Sequence, residues 1–202
     1  RLFREYAKKA KFLQDKRHPH VLRHSIAVHM AEGGFDVYQV KEHLRHKKID
    51  NTLVYFQITN KTRMDTIGNV QELFHGSRAA NIIGICKKGI LIRPPGVYIT
   101  GKMFGEGAYF ANQSTKSSQY ATARFGGSGS LHGNTAFMFV AGVALGRIKK
   151  YTCAQKNLMR PPHGYDSVQG EKGSSLVHDE FIIYDVRQHT LDYLIEFSQN
   201  YR

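Results

Sequence analysis

The stretch VQELFHGSRAANIIGICKKG, running from Val70 to Gly89, decides how this chain is read. Val70, Leu73 and Phe74 form an apolar, strand-like run that ends at the triplet His75-Gly76-Ser77. Residues Ala79–Lys88 then read as a helix, closed by Gly89, the residue that most readily takes the backbone conformation that ends a helix. Working downstream, strands are expected at Gly89–Ile92, Thr135–Ala144, Phe181–Val186 and Leu191–Phe197, besides Val70–Phe74. One more helix is expected over Thr115–Ala123, capped by Ser114, with Gly-rich loops at 101–107 and 126–133. Many strands with few helices indicate a mixed-sheet α+β domain.

Upstream the texture differs. Residues 1–11 read as a basic helix. A second helix runs from His20 to about Glu32, with Leu22, Ile26, Val28, Met30 and Ala31, and ends at Gly33-Gly34. Asp36 is a good N-cap for a third over Val37–Leu44, whose Val37, Val40 and Leu44 share a face. Residues 51–59 fit two patterns: Val54, Phe56 and Ile58 alternate as in a strand, and a helix starting near Asp50 also fits. The expected division is therefore residues 1–60 and 61–202, with the boundary within 53–68 and no Pro/Gly/Ser linker to mark it.

With 202 residues the chain can bury a real core, and 41% apolar with 22% charged residues is ordinary for a soluble globular protein. No apolar run approaches the ~20 residues that cross a bilayer, and the start Arg1-Leu2-Phe3-Arg4 carries no apolar leader, so no membrane association is expected. The net charge is +13. Residues 1–65 hold 14 Lys and Arg against 7 Asp and Glu, about half of the excess on a third of the chain. Such a segment favours polyanions, nucleic acid first, although a solvated basic surface has the same composition. Cys86 and Cys153 make no disulfide framework, and no Cys/His metal spacing accompanies them. An intracellular protein, in cytoplasm or in nucleoid or nucleus, without a metal, is the expectation.

Three short pieces downstream carry chemistry together: His75-Gly76-Ser77, Gly105-Glu106-Gly107-Ala108-Tyr109-Phe110, and Glu180. Each alone is unspecific, a turn or a loop entering a strand. Together a His and a Ser can fix a ribose and a carboxamide, a Tyr can stack on a flat ring, and a carboxylate can stabilise positive charge at an anomeric carbon. Residues 68–202 resemble the catalytic domain of poly(ADP-ribose) polymerases, the diphtheria-toxin-like class of ADP-ribosyltransferases. The resemblance is carried by LFHGSRAANIIGICKKGILIRPP, TGKMFGEGAYFANQSTKSSQYA, FVAGVALG, YDSVQGEKGSS and HDEFIIYDVRQHTLDYLIEF.

The resemblance implies a mixed-sheet ADP-ribosyltransferase fold, NAD⁺ as the substrate, and a protein or nucleic-acid acceptor. His75 would bond the adenosine ribose. Gly76 would offer its backbone to the nicotinamide carboxamide, and Ser77 would bond the same amide. Tyr109 and Tyr120 would sandwich the nicotinamide ring, Lys116 and Ser117 would line the pocket, and Glu180 would bond the ribose 2′-OH. His75, Tyr109 and Glu180 are the implied catalytic set. A Glu at position 180 permits chain extension, that is poly(ADP-ribose) synthesis. One departure is Lys102, before Met103, where many relatives carry Tyr.

Residues 1–60 resemble the C-terminal end of a tyrosine recombinase (phage integrase) catalytic domain, on KRHPHVLRHSIAVHMAEGGFDVYQVKEHLRHKKIDNTLVYFQIT. His20 and Arg23 match a His-x-x-Arg box, His46 a later His, and Tyr55 the nucleophile. The resemblance implies contact with a DNA phosphate. The family's first Arg and its Lys are not among these residues, and Arg45 stands where a Gly is usual, so the recombinase-like set is expected to be inactive. The first reading is thus an NAD⁺-dependent ADP-ribosyltransferase with a basic helical segment that binds DNA without sequence preference. The alternative is a DNA-binding recombinase fragment acting in DNA integration or recombination. An NAD⁺- or ADP-ribose-binding module without turnover is the third.

Overall fold

The computed structural model describes residues 2–14, 19–33, 35–92, 102–121, 135–173 and 176–198. The chain forms two compact units, Arg1–Thr62 and Arg63–Arg202.

The first unit is helical: α1 (Leu2–Lys9), α2 (His20–Glu32), α3 (Val37–Leu44) and the start of α4 (Asp50–Ile67). Asp36 caps α3 as the sequence predicts. Its carboxylate accepts from the amides of Tyr38 and Gln39, and the Gln39 side chain accepts from the Asp36 amide, a reciprocal capping box. Ala27 of α2, Val40 and Leu44 of α3 and Tyr55 of α4 form the small core. Residues 51–59 are helix, so the strand-like alternation of Val54, Phe56 and Ile58 is not the one that folds. Val54 and Ile58 are exposed, while Thr52, Tyr55 and Thr59, spaced three and four apart, are buried. Tertiary burial of one tyrosine and two threonines outweighs the β propensity of the residues between them.

The second unit holds two sheets. Strands β1 (Val70–Gly76), β3 (Thr135–Ala144) and β7 (His189–Ser198) form one, in the order β1-β3-β7, all antiparallel. Strands β2 (Ala108–Phe110), β6 (Glu180–Ile183), β5 (Ser167–Gly170) and β4 (Ile148–Tyr151) form the other, in the order β2-β6-β5-β4, with β4 and β5 parallel. A bridge between Phe74 and Ala111 joins the sheets. Helices α5 (Ala79–Lys88) and α6 (Ser114–Ala121) follow β1 and β2. The mixed α+β architecture is as expected.

β3 and β6 are the central strands of their sheets, and both read as continuous apolar runs rather than alternations. Leu73, Phe139, Ile182 and Ile183 are almost wholly buried, and side chains of this size contribute roughly 1.5–3 kcal/mol each. Leu73, Phe110, Val143 and Ile183 belong to one core cluster, Phe104, Val168 and Ile182 to another.

Several local expectations are corrected. Gly89–Ile92 is not a strand. Gly89 ends α5 with φ 75°, and the Ile90 amide donates 3.1 Å to the His189 ring, so it is spent on a side chain rather than on a neighbouring strand. The strand expected at Phe181–Val186 is Glu180–Ile183, because Asp185 caps a 3₁₀ turn over Val186–Gln188 through the Arg187 amide. Helix α6 begins at Ser114 and its described part ends at Ala121. Short β4 and β5 are strands that the sequence pattern does not announce, while β2 is the strand that the Gly105–Gly107 loop enters. Residues 93–101, 122–123 and 126–133, the last a predicted Gly-rich loop, lie outside the described residues.

Candidate active site

β1 carries His75 and Gly76, β2 carries Tyr109, α6 carries Lys116, Ser117 and Tyr120, and β6 begins at Glu180. The pairing that builds the sheets brings these together, since β2 lies beside β6 and the Phe74–Ala111 bridge ties β1 to the end of β2. His75 Nδ1 is 2.9 Å from the Tyr109 carbonyl oxygen, which only a protonated Nδ1 can bond. Nε2 is then the acceptor nitrogen. Burial holds the His75 pKa below the ordinary imidazole value, against the opposing carbonyl bond, so the ring is neutral near pH 7.

Gly76 also has a packing role that the sequence does not announce. A Cβ there would sit 1.8 Å from the Ser117 carbonyl oxygen and 2.7 Å from its carbon. The missing side chain seats the backbone of α6 directly on β1. Ser117 completes that seat, its buried hydroxyl donating 3.0 Å to the Phe74 carbonyl. Ser77 accepts from the Asn81 side chain at 3.1 Å, which holds the corner into α5.

Glu180 is buried at 4% exposure. Its Oε1 lies 2.8 Å from Lys116 Nζ, in a pair shielded on both sides. Its Oε2 is buried without a hydrogen bond among the described residues. A carboxylate oxygen left bare in a low-dielectric site is costly unless a donor arrives. Lys116 Nζ also lies 5.8 Å from the Tyr120 ring centroid, within cation–π reach. The Tyr120 hydroxyl pKa is raised by burial, with Lys116 opposing and Glu180 adding.

The Tyr109 hydroxyl accepts from the Phe104 amide at 2.9 Å and donates to the Gly105 carbonyl at 2.8 Å. Those bonds lock the ring onto the 104–105 turn. Burial pushes its pKa far above the phenol range, with the Phe104 bond opposing and Tyr184, Glu180 and Glu106 adding. Tyr109 thus presents a ring rather than a titrating hydroxyl.

Two contributors escaped the sequence reading. Asp179, read as a loop residue, accepts from the Lys172 amide at 2.6 Å and from Gln169 at 3.1 Å, which fixes the backbone just before Glu180. Lys116 is not merely a lining residue but the charge partner of Glu180. No periodicity in the sequence marks either pairing.

In the first unit the structure gathers part of the recombinase-like set. Tyr55 is buried, its hydroxyl 2.5 Å from His24 Nδ1, and its ring stacks 6.3 Å from that of His46. His20 stands 6.4 Å from the His24 ring, one helical turn away. Arg23 Nη1 reaches the Leu44 carbonyl at 3.5 Å. Among the described residues no group of three His, Cys, Asp or Glu side chains is arranged to hold a metal, and no helix is long and apolar enough to cross a membrane.

A neutral imidazole, a locked tyrosine ring, and a buried carboxylate with one bare oxygen are brought together at the edges of two small sheets. Residues 4–176 match the poly(ADP-ribose) polymerase catalytic domain. The chain belongs to that family. The matched span runs back through α1 to α4, including the recombinase-like residues, and stops before Glu180. The chain is 32% identical over 162 residues to a poly(ADP-ribose) polymerase of Sarcophaga peregrina, covering 66% of this chain and 16% of the relative. It is 33% identical over 162 residues to poly(ADP-ribose) polymerase 1 of Xenopus laevis, covering 66% and 16%. With poly(ADP-ribose) polymerase 2-A of Oryza sativa subsp. japonica it shares 29% over 196 residues, covering 83% and 27%. The chain spans about a sixth of the length of the first two relatives.

Proposed function

We propose that this chain breaks the bond between nicotinamide and ribose in NAD⁺ and transfers the ADP-ribose to a protein or nucleic-acid acceptor. The observation that carries this reading is Glu180, buried, charge-paired with Lys116 through one oxygen and bare at the other. Nicotinamide leaves with the bonding electrons, so the ribose gains oxocarbenium character, as in glycoside hydrolysis. A fixed carboxylate beside that ring stabilises the developing charge, and its bare oxygen can accept from a ribose hydroxyl. Lys116 holds the carboxylate in place by its other oxygen. His75 offers the unprotonated Nε2 to the adenosine ribose. Tyr109 and Tyr120 supply flat faces for the nicotinamide, each stacking worth about 1 kcal/mol beyond burial.

Glu180 also supports chain extension, since the group that orients a first acceptor can orient the hydroxyl of an ADP-ribose already attached. In this reading the transferase portion begins within residues 53–68, and the basic residues before it contact DNA through phosphates, without sequence preference. The two cysteines, free and exposed, support a reducing, intracellular setting. The deciding experiment is incubation of the chain with labelled NAD⁺, with and without DNA, followed by a denaturing gel. Label should appear on protein with the wild type and fall at least ~10²-fold with Glu180→Gln, the cost of losing one transition-state stabiliser. Undiminished labelling by that variant would remove Glu180 from the mechanism.

A further inference from the structure

We infer that Tyr184 is a positioning residue of the candidate site: its hydroxyl holds the backbone turn that locks the Tyr109 ring. The inference rests on the reading that Tyr109 is a face for nicotinamide, and it assigns a role to a residue that the sequence does not single out. Three successive backbone groups of the turn, the Phe104 N–H, the Phe104 carbonyl and the Gly105 carbonyl, are bonded to two phenol hydroxyls. Tyr109 takes the outer two, accepting at 2.9 Å and donating at 2.8 Å. Tyr184 takes the one between them, its hydroxyl donating 2.6 Å to the Phe104 carbonyl. That carbonyl and the Gly105 amide share one peptide plane, flanked on both sides by the partners of Tyr109.

The β2–β6 ladder explains why Tyr184 is within reach. Ile182 pairs with Tyr109, so their side chains leave the sheet on the same face, and strand alternation puts Glu180 on that face as well. Ile182, Tyr109 and Tyr184 pack on one cluster with the buried Phe104 ring. One strand thus presents the carboxylate at its start and, one residue past its end, secures the turn that holds the stacking ring. Gly107 leaves the space for this, since a Cβ there would sit 2.3 Å from Ile182 and 3.4 Å from the Tyr184 ring. Burial, with Tyr151 adding, raises the Tyr184 hydroxyl well above the phenol range, so its proton is always present as a donor near pH 7. Other bonds secure the ends of the turn: the Gln155 amide donates 2.7 Å to the Met103 carbonyl and the Glu106 amide 2.8 Å to the Leu158 carbonyl. At the apex the Gly105 amide has only a long bond, 3.4 Å, to the Lys102 carbonyl. The orientation of the Phe104–Gly105 peptide is therefore left to the two hydroxyls, and losing one loosens the partner of the other.

The test uses the whole chain. Tyr184→Phe deletes one oxygen and keeps the ring, so the core stays filled. Two ligands are titrated by calorimetry: benzamide, which probes the stacking faces, and ADP-ribose, which probes the site without a nicotinamide. The proteins are the wild type, Tyr184→Phe, Tyr109→Phe and the double variant. Benzamide should bind roughly 5-fold more weakly to Tyr184→Phe, the worth of one hydrogen bond, while ADP-ribose stays within about 2-fold of the wild type. In Tyr109→Phe, whose ring has already lost its lock, adding Tyr184→Phe should weaken benzamide by less than about 2-fold, because the two hydroxyls act as a unit. A tyrosine that serves only general stability would weaken both ligands alike, or add its full effect in the double variant, and either result would overturn the inference. Unchanged benzamide affinity in Tyr184→Phe would overturn it as well. Tyr109→Leu separates that outcome from failure of the stacking pocket. Benzamide binding lost in Tyr109→Leu but kept in Tyr184→Phe rejects the role of Tyr184 alone. Benzamide binding kept in Tyr109→Leu, or absent in the wild type, rejects the pocket on which that role rests.

Discussion

Replacing Gly76 by alanine tests the geometry of the site with one methyl group. The added Cβ would lie 1.8 Å from the Ser117 carbonyl oxygen, where carbon and oxygen come no closer than about 3.3 Å even in favourable contacts. Relief requires α6 to move off β1 by roughly 1.5 Å, and the obstacle is backbone, which cannot swing aside as a side chain would. That movement breaks the 3.0 Å bond from Ser117 to Phe74 and carries Lys116 and Tyr120 with it. Overpacking of this kind costs about 1–3 kcal/mol of stability. A displacement near 1 Å at a catalytic group costs on the order of 10²-fold in rate. Gly76→Ala should therefore lower the melting temperature, lower turnover of labelled NAD⁺ by about that factor, and weaken the Lys116–Glu180 pair. Thermal unfolding followed by circular dichroism and a turnover assay on the same preparation read both effects. If Gly76 serves only to admit the nicotinamide amide, stability will match the wild type and only NAD⁺ affinity will fall. A variant with wild-type stability would refute the seating of α6 on β1.

His189 gives a pH-dependent signature: burial, with the His75 charge adding, lowers its pKa to about 4, against about 6.5 for a free imidazole. Between those values the unfolded chain binds the extra proton and the folded chain does not. Stability should thus fall as pH drops from about 6.5 to about 4, by on the order of 3 kcal/mol, and His189→Leu should flatten that slope in denaturant titrations across the window. Benzamide-like amides should compete with NAD⁺ for the faces of Tyr109 and Tyr120; an active enzyme indifferent to saturating benzamide would contradict the stacking pocket. Tyr55 should form no covalent 3′-phosphotyrosine on a nicked duplex, since its hydroxyl is buried and bonded to His24. A trapped band that disappears in Tyr55→Phe would instead restore the recombinase reading, whereas stability in that variant should fall only about 1 kcal/mol.

The sequence by itself determined the elements whose cause is local. Asp36 and Gln39 cap α3 because both partners lie within one turn, Gly89 ends α5, and β3 reads as a buried central strand because its apolar run is unbroken. It also offered the candidate site residues, because each sits in a long stretch whose order is specific. What only the tertiary structure decided are pairings across the chain. Residues 51–59 became helix because burial of Thr52, Tyr55 and Thr59 outweighs a local alternation. Ile90 left the sheet because its amide found His189, 99 residues away. Tyr55 met His24, a residue outside the matched motif, because helix phase decides which side chain faces it. The Ser117 carbonyl that a side chain at Gly76 would strike is set by how α6 comes to rest on β1. Lys116 became the partner of Glu180, 64 positions downstream, only when β2 paired with β6. Local signals report backbone preference within a turn, whereas the direction and partner of a side chain are set by contacts between segments that no sequence period records.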